Sequence, residues 1–124
     1  MKDGKHVILA IDDDEDVIYS LRMVLENNGY DMVEAYTAEE GLKKYKQNSP
    51  DLVIVDLMME SVDAGKNFVK ELKLLGNTAP IYMLSSVGNA LASNIDYKEL
   101  GLDGVFQKPI ETNTLLTTLK KKLK

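Results

Sequence analysis

Short apolar runs alternate along this chain with segments in which apolar residues recur at helical spacing. Five of these runs predict buried strands, because they are three to six residues long and flanked by turn or polar residues. The predicted strands cover residues 6–11, 32–35, 52–55, 81–84 and 105–107. Four of the five lead directly into acids, a serine or a lysine, so polar chemistry is expected where those strands end.

Five helices are predicted between and after the strands. They are marked by Val17, Leu21, Val24 and Leu25; by the Thr37–Glu40 capping box; by Phe68, Leu72 and Leu75; by 90–100; and by Leu116, Leu119 and Leu123. Repeated strand–helix units with right-handed crossovers build a doubly wound sheet. We therefore predict an α/β, flavodoxin-like fold with a five-stranded parallel sheet in the order 2-1-3-4-5 and five helices.

Composition narrows the class of protein. The 124 residues are expected to form a single domain spanning 1–124, and 44% hydrophobic with 28% charged residues is ordinary for a globular protein. The longest apolar run is five residues, too short for a membrane span or a signal peptide. The absence of cysteine is compatible with the cytoplasm, the expected location. A net charge of −5 argues against direct nucleic-acid binding, and Lys120–Lys122 are read as cations ending a helix.

Three carboxylates are expected to converge at the carboxyl edge of the sheet. Asp12 and Asp13 follow the first strand and Asp56 follows the third, and these strands are neighbours in the predicted order. Carboxylates about 4 Å apart repel by about 4 kcal/mol at an effective dielectric of about 20. A divalent cation relieves this repulsion, and Mg²⁺ prefers oxygen ligands. For 14–16 the favoured interpretation is different: these acids begin the first helix.

A hydroxyl and an ammonium follow the fourth and fifth strands. Ser85 and Lys108 would lie on the same edge as the carboxylates, where they suit a phosphoryl group. Two alternatives stay open, a strand-end cap for Ser85 and a solvated strand end for Lys108.

Together these segments resemble the receiver domain of bacterial two-component response regulators. The resemblance is carried by the Asp12-Asp13 pair, by 56–59, by 80–86 and by Lys108-Pro109, in order along nearly the whole chain. It implies a signalling switch of a phosphorelay, which receives a phosphoryl group from a sensor histidine kinase or a phosphotransfer protein. It also implies a chain that catalyses only its own phosphorylation and dephosphorylation.

The resemblance implies a role for each site residue. Asp56 would be the phosphoacceptor, and Asp13 and Asp56 would ligate Mg²⁺ directly with the backbone carbonyl of Met58. Asp12 would act on the metal mainly through water. Ser85 and Lys108 would each bind a phosphoryl oxygen.

Two departures from the family pattern leave an alternative open. Val105 stands where the family usually has an aromatic residue that swings inward on activation, and Glu60 stands where it usually has proline. The alternative is a receiver-like interaction module that works without phosphorylation. An enzyme on a similar sheet is disfavoured, because a haloacid dehalogenase phosphatase would need an acid where Met58 stands. The chain is expected to be either a free-standing regulator or part of a longer one, with an output partner that the sequence does not name.

Overall fold

The computed structural model describes residues 4–56, 62–86, 102–108 and 110–123. Its strands are β1 (Val7–Ile11), β2 (Asp31–Ala35), β3 (Leu52–Asp56), β4 (Ile81–Ser86) and β5 (Gly104–Lys108). The helices among the described residues are α1 (Glu15–Asn27), α2 (Ala38–Asn48), α3 (Val62–Leu74) and α4 (Thr112–Lys122). The helix predicted over 90–100 lies outside the described residues.

The five strands form one parallel sheet in the order β2-β1-β3-β4-β5, which confirms the predicted topology. In register, Ile11 pairs with Val55. Further along the sheet, Ser86 pairs with Lys108. The polar residues after β1, at the end of β3 and at the end of β5 therefore share one edge of the sheet.

Side chains buried on the two faces of the sheet alternate along each strand, as a pleated strand requires. On one face, strand residues such as Ile8, Ile54 and Leu84 pack with α1 and α4. On the other face, residues such as Leu9, Val53 and Met83 pack with α3 and with half-buried side chains of α2. Every residue of β1 and β3 is buried, which explains why these strands read as unbroken apolar runs.

The helix starts follow the predicted capping chemistry. Asp14 is the N-cap of α1 and its side chain accepts from the Asp16 backbone N–H at 2.9 Å, so the helix-start interpretation of this acid is confirmed. Thr37 caps α2 by accepting from the Glu40 N–H at 3.1 Å. The Glu40 carboxylate accepts from the N–H of Tyr36, one residue before the usual capping-box donor.

Two helix predictions need adjustment at their ends. Leu75 was one of the residues that mark the third helix; α3 ends one residue earlier, at Leu74, and although the Leu75 N–H still donates to the Glu71 carbonyl at 3.1 Å, its side chain is 47% exposed. In α4 the fully buried positions are Leu115 and Leu119, while Leu116 and the C-cap residue Leu123 pack at the margin. The basic residues 120–122 do occupy the last turn of α4. None of the described helices is both long and apolar enough to cross a bilayer.

Two aspartates fasten the opposite edge of the sheet. The Val7 N–H donates to Asp51 Oδ2 at 2.8 Å, and the Asp51 N–H donates to the Val7 carbonyl at the same distance. Asp103 and Ile81 form the equivalent pair, at 2.8 Å and 2.7 Å. These reciprocal contacts set where β1 and β4 begin, and thereby where their far ends emerge.

Candidate functional site

Asp12, Asp13 and Asp56 do converge, as the strand order predicted. Each offers a carboxylate oxygen, and these oxygens all lie within 4.8 Å of one another. Asp12 follows β1 directly and Asp56 is the last residue of β3. Asp12 and Asp56 are buried, whereas Asp13 is exposed, so the cluster has a closed inner side and an open outer side.

Both the backbone and the side chain of Asp12 make hydrogen bonds. Its backbone N–H donates to the Ala35 carbonyl at 3.1 Å, and its Oδ1 accepts from the Asp14 N–H at 2.9 Å. Burial raises the pKa of Asp12 above its usual range, and the negative charge of Asp56 raises it further. The contacts of Asp12 with the Lys108 ammonium and with the Asp14 N–H act to lower this pKa, but they do not cancel the rise.

Lys108 lies between the two buried carboxylates. Its Nζ is 2.7 Å from Asp12 Oδ2, an ion pair without regular hydrogen-bond geometry, and it donates a hydrogen bond of 3.1 Å to Asp56 Oδ2. Burial acts to lower the pKa of Lys108, but the contacts with Asp12 and Asp56 outweigh it and raise the pKa overall. The ammonium is therefore charged at neutral pH. It lies against two carboxylates and does not extend into solvent from the end of the strand.

The donor set fits a magnesium ion. With all three carboxylates ionised, the cluster and Lys108 together carry a net charge of −2, which matches one divalent cation. All the side-chain donors are oxygens, the ligand type that Mg²⁺ prefers, and the exposed side at Asp13 leaves room for the waters it keeps.

The remaining predicted site residues are only partly placed. Ser85 lies in β4, in register with Gln107, so its backbone reaches the same edge of the sheet. Its side chain, and the whole of Met58, lie outside what the structure describes. The hydroxyl role of Ser85 and the carbonyl role of Met58 therefore stay predictions.

Residues 8–120 match the family described as the response regulator receiver domain. The chain belongs to this family. The five-stranded parallel sheet in the order β2-β1-β3-β4-β5 agrees with this membership.

Named relatives of this receiver domain include two proteins of Bacillus subtilis (strain 168). The chemotaxis protein CheY is 33% identical over 119 residues, which cover 95% of this chain and 98% of CheY. The alkaline phosphatase synthesis transcriptional regulatory protein PhoP is also 33% identical, over 91% of this chain but only 46% of PhoP. The chain thus spans nearly all of the first relative and about half the length of the second.

Solved structures similar to this receiver domain show the same fold. A putative response regulator from Chloroflexus aurantiacus superposes with a TM-score of 0.85 at 31% identity, over 97% of this chain and 98% of the other. The chemotaxis response regulator CheY4 of Vibrio cholerae has a TM-score of 0.84 at 29% identity, over 97% and 100%.

A groove beside Lys108 was missed by the sequence reasoning. It has a volume of about 260 Å³ and runs between α1 and the start of α4. Its apolar walls are Val17, Leu21, Val24, Ile110 and Leu115. The sequence feature that could have indicated the groove is the apolar stripe of α1, which is wider than its contact with the sheet requires. Val17 and Val24, at the margin of this stripe, stay half-buried.

Proposed function

We propose that this receiver domain is a phosphorylation-activated switch in which Asp56 accepts a phosphoryl group with the help of Mg²⁺. The observation that carries the proposal is the charge arrangement around Asp56. A buried carboxylate lies within hydrogen-bonding distance of Lys108 and inside a three-carboxylate cluster that suits a divalent cation. Such a cluster is costly to bury unless cations compensate it.

The chemistry follows from the residue types. An Asp56 carboxylate oxygen attacks the phosphorus of a phosphohistidine that is protonated on its other ring nitrogen, the P–N bond breaks, and its electron pair leaves with the imidazole, which departs neutral. The product is an acyl phosphate on Asp56. When bound by Asp12, Asp13 and Asp56, Mg²⁺ supplies charge neutralisation for the incoming phosphoryl group.

Lys108 changes partner in this proposal. Before the transfer it neutralises Asp12 and Asp56, and afterwards it pairs with a phosphoryl oxygen, with the Ser85 hydroxyl on another. The transfer needs positioning and charge compensation more than covalent assistance. The domain therefore acts on its own aspartate, as phosphoacceptor and in dephosphorylation, and not as an enzyme on a separate substrate.

The proposed donor is a sensor histidine kinase or a phosphotransfer protein. The donor histidine reaches Asp56 from the open, Asp13 side of the cluster, next to the apolar groove between α1 and α4. Since kinases draw the phosphoryl group from ATP, the proposal includes a cytoplasmic location. It includes no direct contact with nucleic acid or membrane, and the output partner is left open.

The test is incubation with acetyl phosphate, read by intact mass. We expect the wild type to gain one phosphoryl group with Mg²⁺ and none in excess EDTA. Asp56→Asn should gain none, Asp13→Asn should lose most of the gain, and Lys108→Ala should show a reduced gain. Full labelling in EDTA, or labelling of Asp56→Asn at the wild-type rate, would overturn the proposal.

Val105 favours a second candidate, an interaction module that works without phosphate. Its side chain is small and 36% exposed, so the position offers no ring to move between exposed and buried states. A folded wild type that binds Mg²⁺ but takes no phosphoryl group, from acetyl phosphate or a kinase, would support this candidate.

A further inference from the structure

Two aromatic rings lie in the layer of side chains beneath Lys108. Phe106 precedes Lys108 by two residues on β5, so the two side chains emerge on the same face of the sheet. The Phe106 ring is 4% exposed and stacks on Tyr82, with the ring centroids 5.0 Å apart and an angle of 29° between the planes. Lys108 is thus joined along one strand face to a buried aromatic pair.

The ring of Tyr82 has little freedom to move alone. Tyr82 is in register with Gly104 on β5, and a Cβ placed on Gly104 would lie only 2.5 Å from Cε1 of that ring. The ring therefore lies directly on the glycine and reaches diagonally to Phe106. Glycine at this position is what allows Tyr82 to lie across β5.

The aromatic pair also packs in the same buried layer as α4. Tyr82 and Phe106 belong to the same buried cluster as Leu115 and Leu119 of α4. On the opposite face of β5, by contrast, Val105 is 36% exposed. Of Val105 and Phe106, it is therefore Phe106 that connects β5 to close-packed side chains.

We propose that the Tyr82–Phe106 stack transmits a change of partner at Lys108 to α4. The inference rests on the proposed function, in which Lys108 leaves the two carboxylates for a phosphoryl oxygen. A shift of Lys108 displaces the end of β5 and with it Phe106. Because close-packed interiors do not deform continuously, the stack and the leucines of α4 move as a unit. The stack thus serves as the aromatic group that moves on activation, in place of a ring at position 105.

The test uses the full chain labelled with 3-fluorotyrosine, with Mg²⁺ and beryllium fluoride as the phosphoryl mimic. Tyr82→Phe and Tyr45→Phe assign two of the six tyrosine resonances by deletion. Tyr45 serves as the control probe, because its hydroxyl donates to Asn77 on the opposite face of the sheet. Bound beryllium fluoride adds its own fluorine signals, which report occupancy in the same spectrum. Amide exchange over 112–122 reports the response of α4.

In the wild type we expect the Tyr82 resonance and the α4 amides to respond while the Tyr45 resonance stays in place. Phe106→Leu should still bind the mimic but lose at least about half of both responses. Val105→Ala, on the opposite face, should keep them in full. If Phe106→Leu does not fold, Gly104→Ala displaces the Tyr82 ring instead and should give the same loss.

Failure of the inference differs from failure of the proposed function. If the wild type shows no bound beryllium fluoride, both are overturned. If the mimic binds and Tyr82 does not respond, or if Phe106→Leu keeps the full response of α4, only the transmission route is overturned.

Discussion

Lys108 Nζ lies 2.7 Å from Asp12 Oδ2, closer than the 3.1 Å that separates it from Asp56 Oδ2. The lysine of this receiver domain is therefore not aimed at the proposed phosphoacceptor alone. It neutralises two buried carboxylates that would otherwise repel each other, so it has a structural role in addition to the proposed role toward phosphate.

Removing Lys108 should destabilise the metal-free domain. We expect Lys108→Met to lower the free energy of unfolding by about 2–3 kcal/mol in EDTA, since it leaves Asp12 and Asp56 buried without a cation. Mg²⁺ should restore more stability to this variant than to the wild type, because the metal takes over the lost neutralisation. Urea denaturation with and without Mg²⁺ measures both effects.

A matched control is Lys120→Met, on the exposed last turn of α4. It removes the same charge from the surface and should change the free energy of unfolding by less than about 0.5 kcal/mol. Equal losses for the two lysines would contradict a structural role for Lys108.

Asp12→Asn should have the opposite effect in the absence of metal. The pKa of Asp12 is raised in the folded state, chiefly by burial and further by Asp56, so the folded domain binds this proton more tightly than the unfolded chain. The stability that the protonated form contributes is present at acid pH and is lost as pH rises through the folded-state pKa. We therefore expect Asp12→Asn to be more stable than the wild type by about 1 kcal/mol or more near pH 7 in EDTA.

Two further measurements test whether the expected gain in stability of Asp12→Asn comes from the loss of a buried charge. Its advantage should shrink as pH falls, because protonated aspartate and asparagine then carry the same charge. Added Mg²⁺ should stabilise the wild type more than the variant. An advantage that persists unchanged into acid would show that the effect is one of packing and not of charge.

The strand-start contact of Asp103 gives a prediction away from the site. Asp103→Ala removes the acceptor for the Ile81 N–H and should cost about 1 kcal/mol, with faster exchange of that amide. Asp103→Asn keeps a side-chain oxygen and should retain most of the stability. The explanation fails if the asparagine variant loses as much as the alanine variant in urea denaturation.

The fold was predictable because its strands are short and buried on both faces. The unbroken apolar runs of β1 and β3, together with the capping residues Asp14 and Thr37, identify elements whose neighbours follow from right-handed crossovers. Leu75 shows the limit of such a pattern: its N–H still donates to the Glu71 carbonyl at 3.1 Å, but its side chain is 47% exposed, because helical spacing does not show which side chains the neighbouring elements cover. The chain turns directly afterwards at Gly76, whose φ is 79°.

The sequence predicted which residues form the candidate site better than it predicted how their side chains are arranged. Strand order alone brings Asp12, Asp13 and Asp56 together. Which carboxylate is buried, and which one Lys108 approaches more closely, depends on side-chain packing across β1, β3 and β5. The Tyr82–Phe106 stack was also hidden, because nothing in the sequence marks Gly104 as the residue on which the Tyr82 ring lies.

The start of α4 can be improved without touching the site. Glu111 occupies the N-cap with extended backbone angles, φ −75° and ψ 128°, but its side chain makes no capping hydrogen bond, and the first turn of α4 has no acid. A shorter carboxylate reaches the free N–H groups that follow, so Glu111→Asp should raise the free energy of unfolding by about 0.5–1 kcal/mol and the melting temperature by about 3 °C. Glu111→Gln keeps the length of glutamate and should show no gain. Thermal unfolding of the three proteins decides the matter, and a glutamine variant as stable as the aspartate variant would rule out capping as the cause.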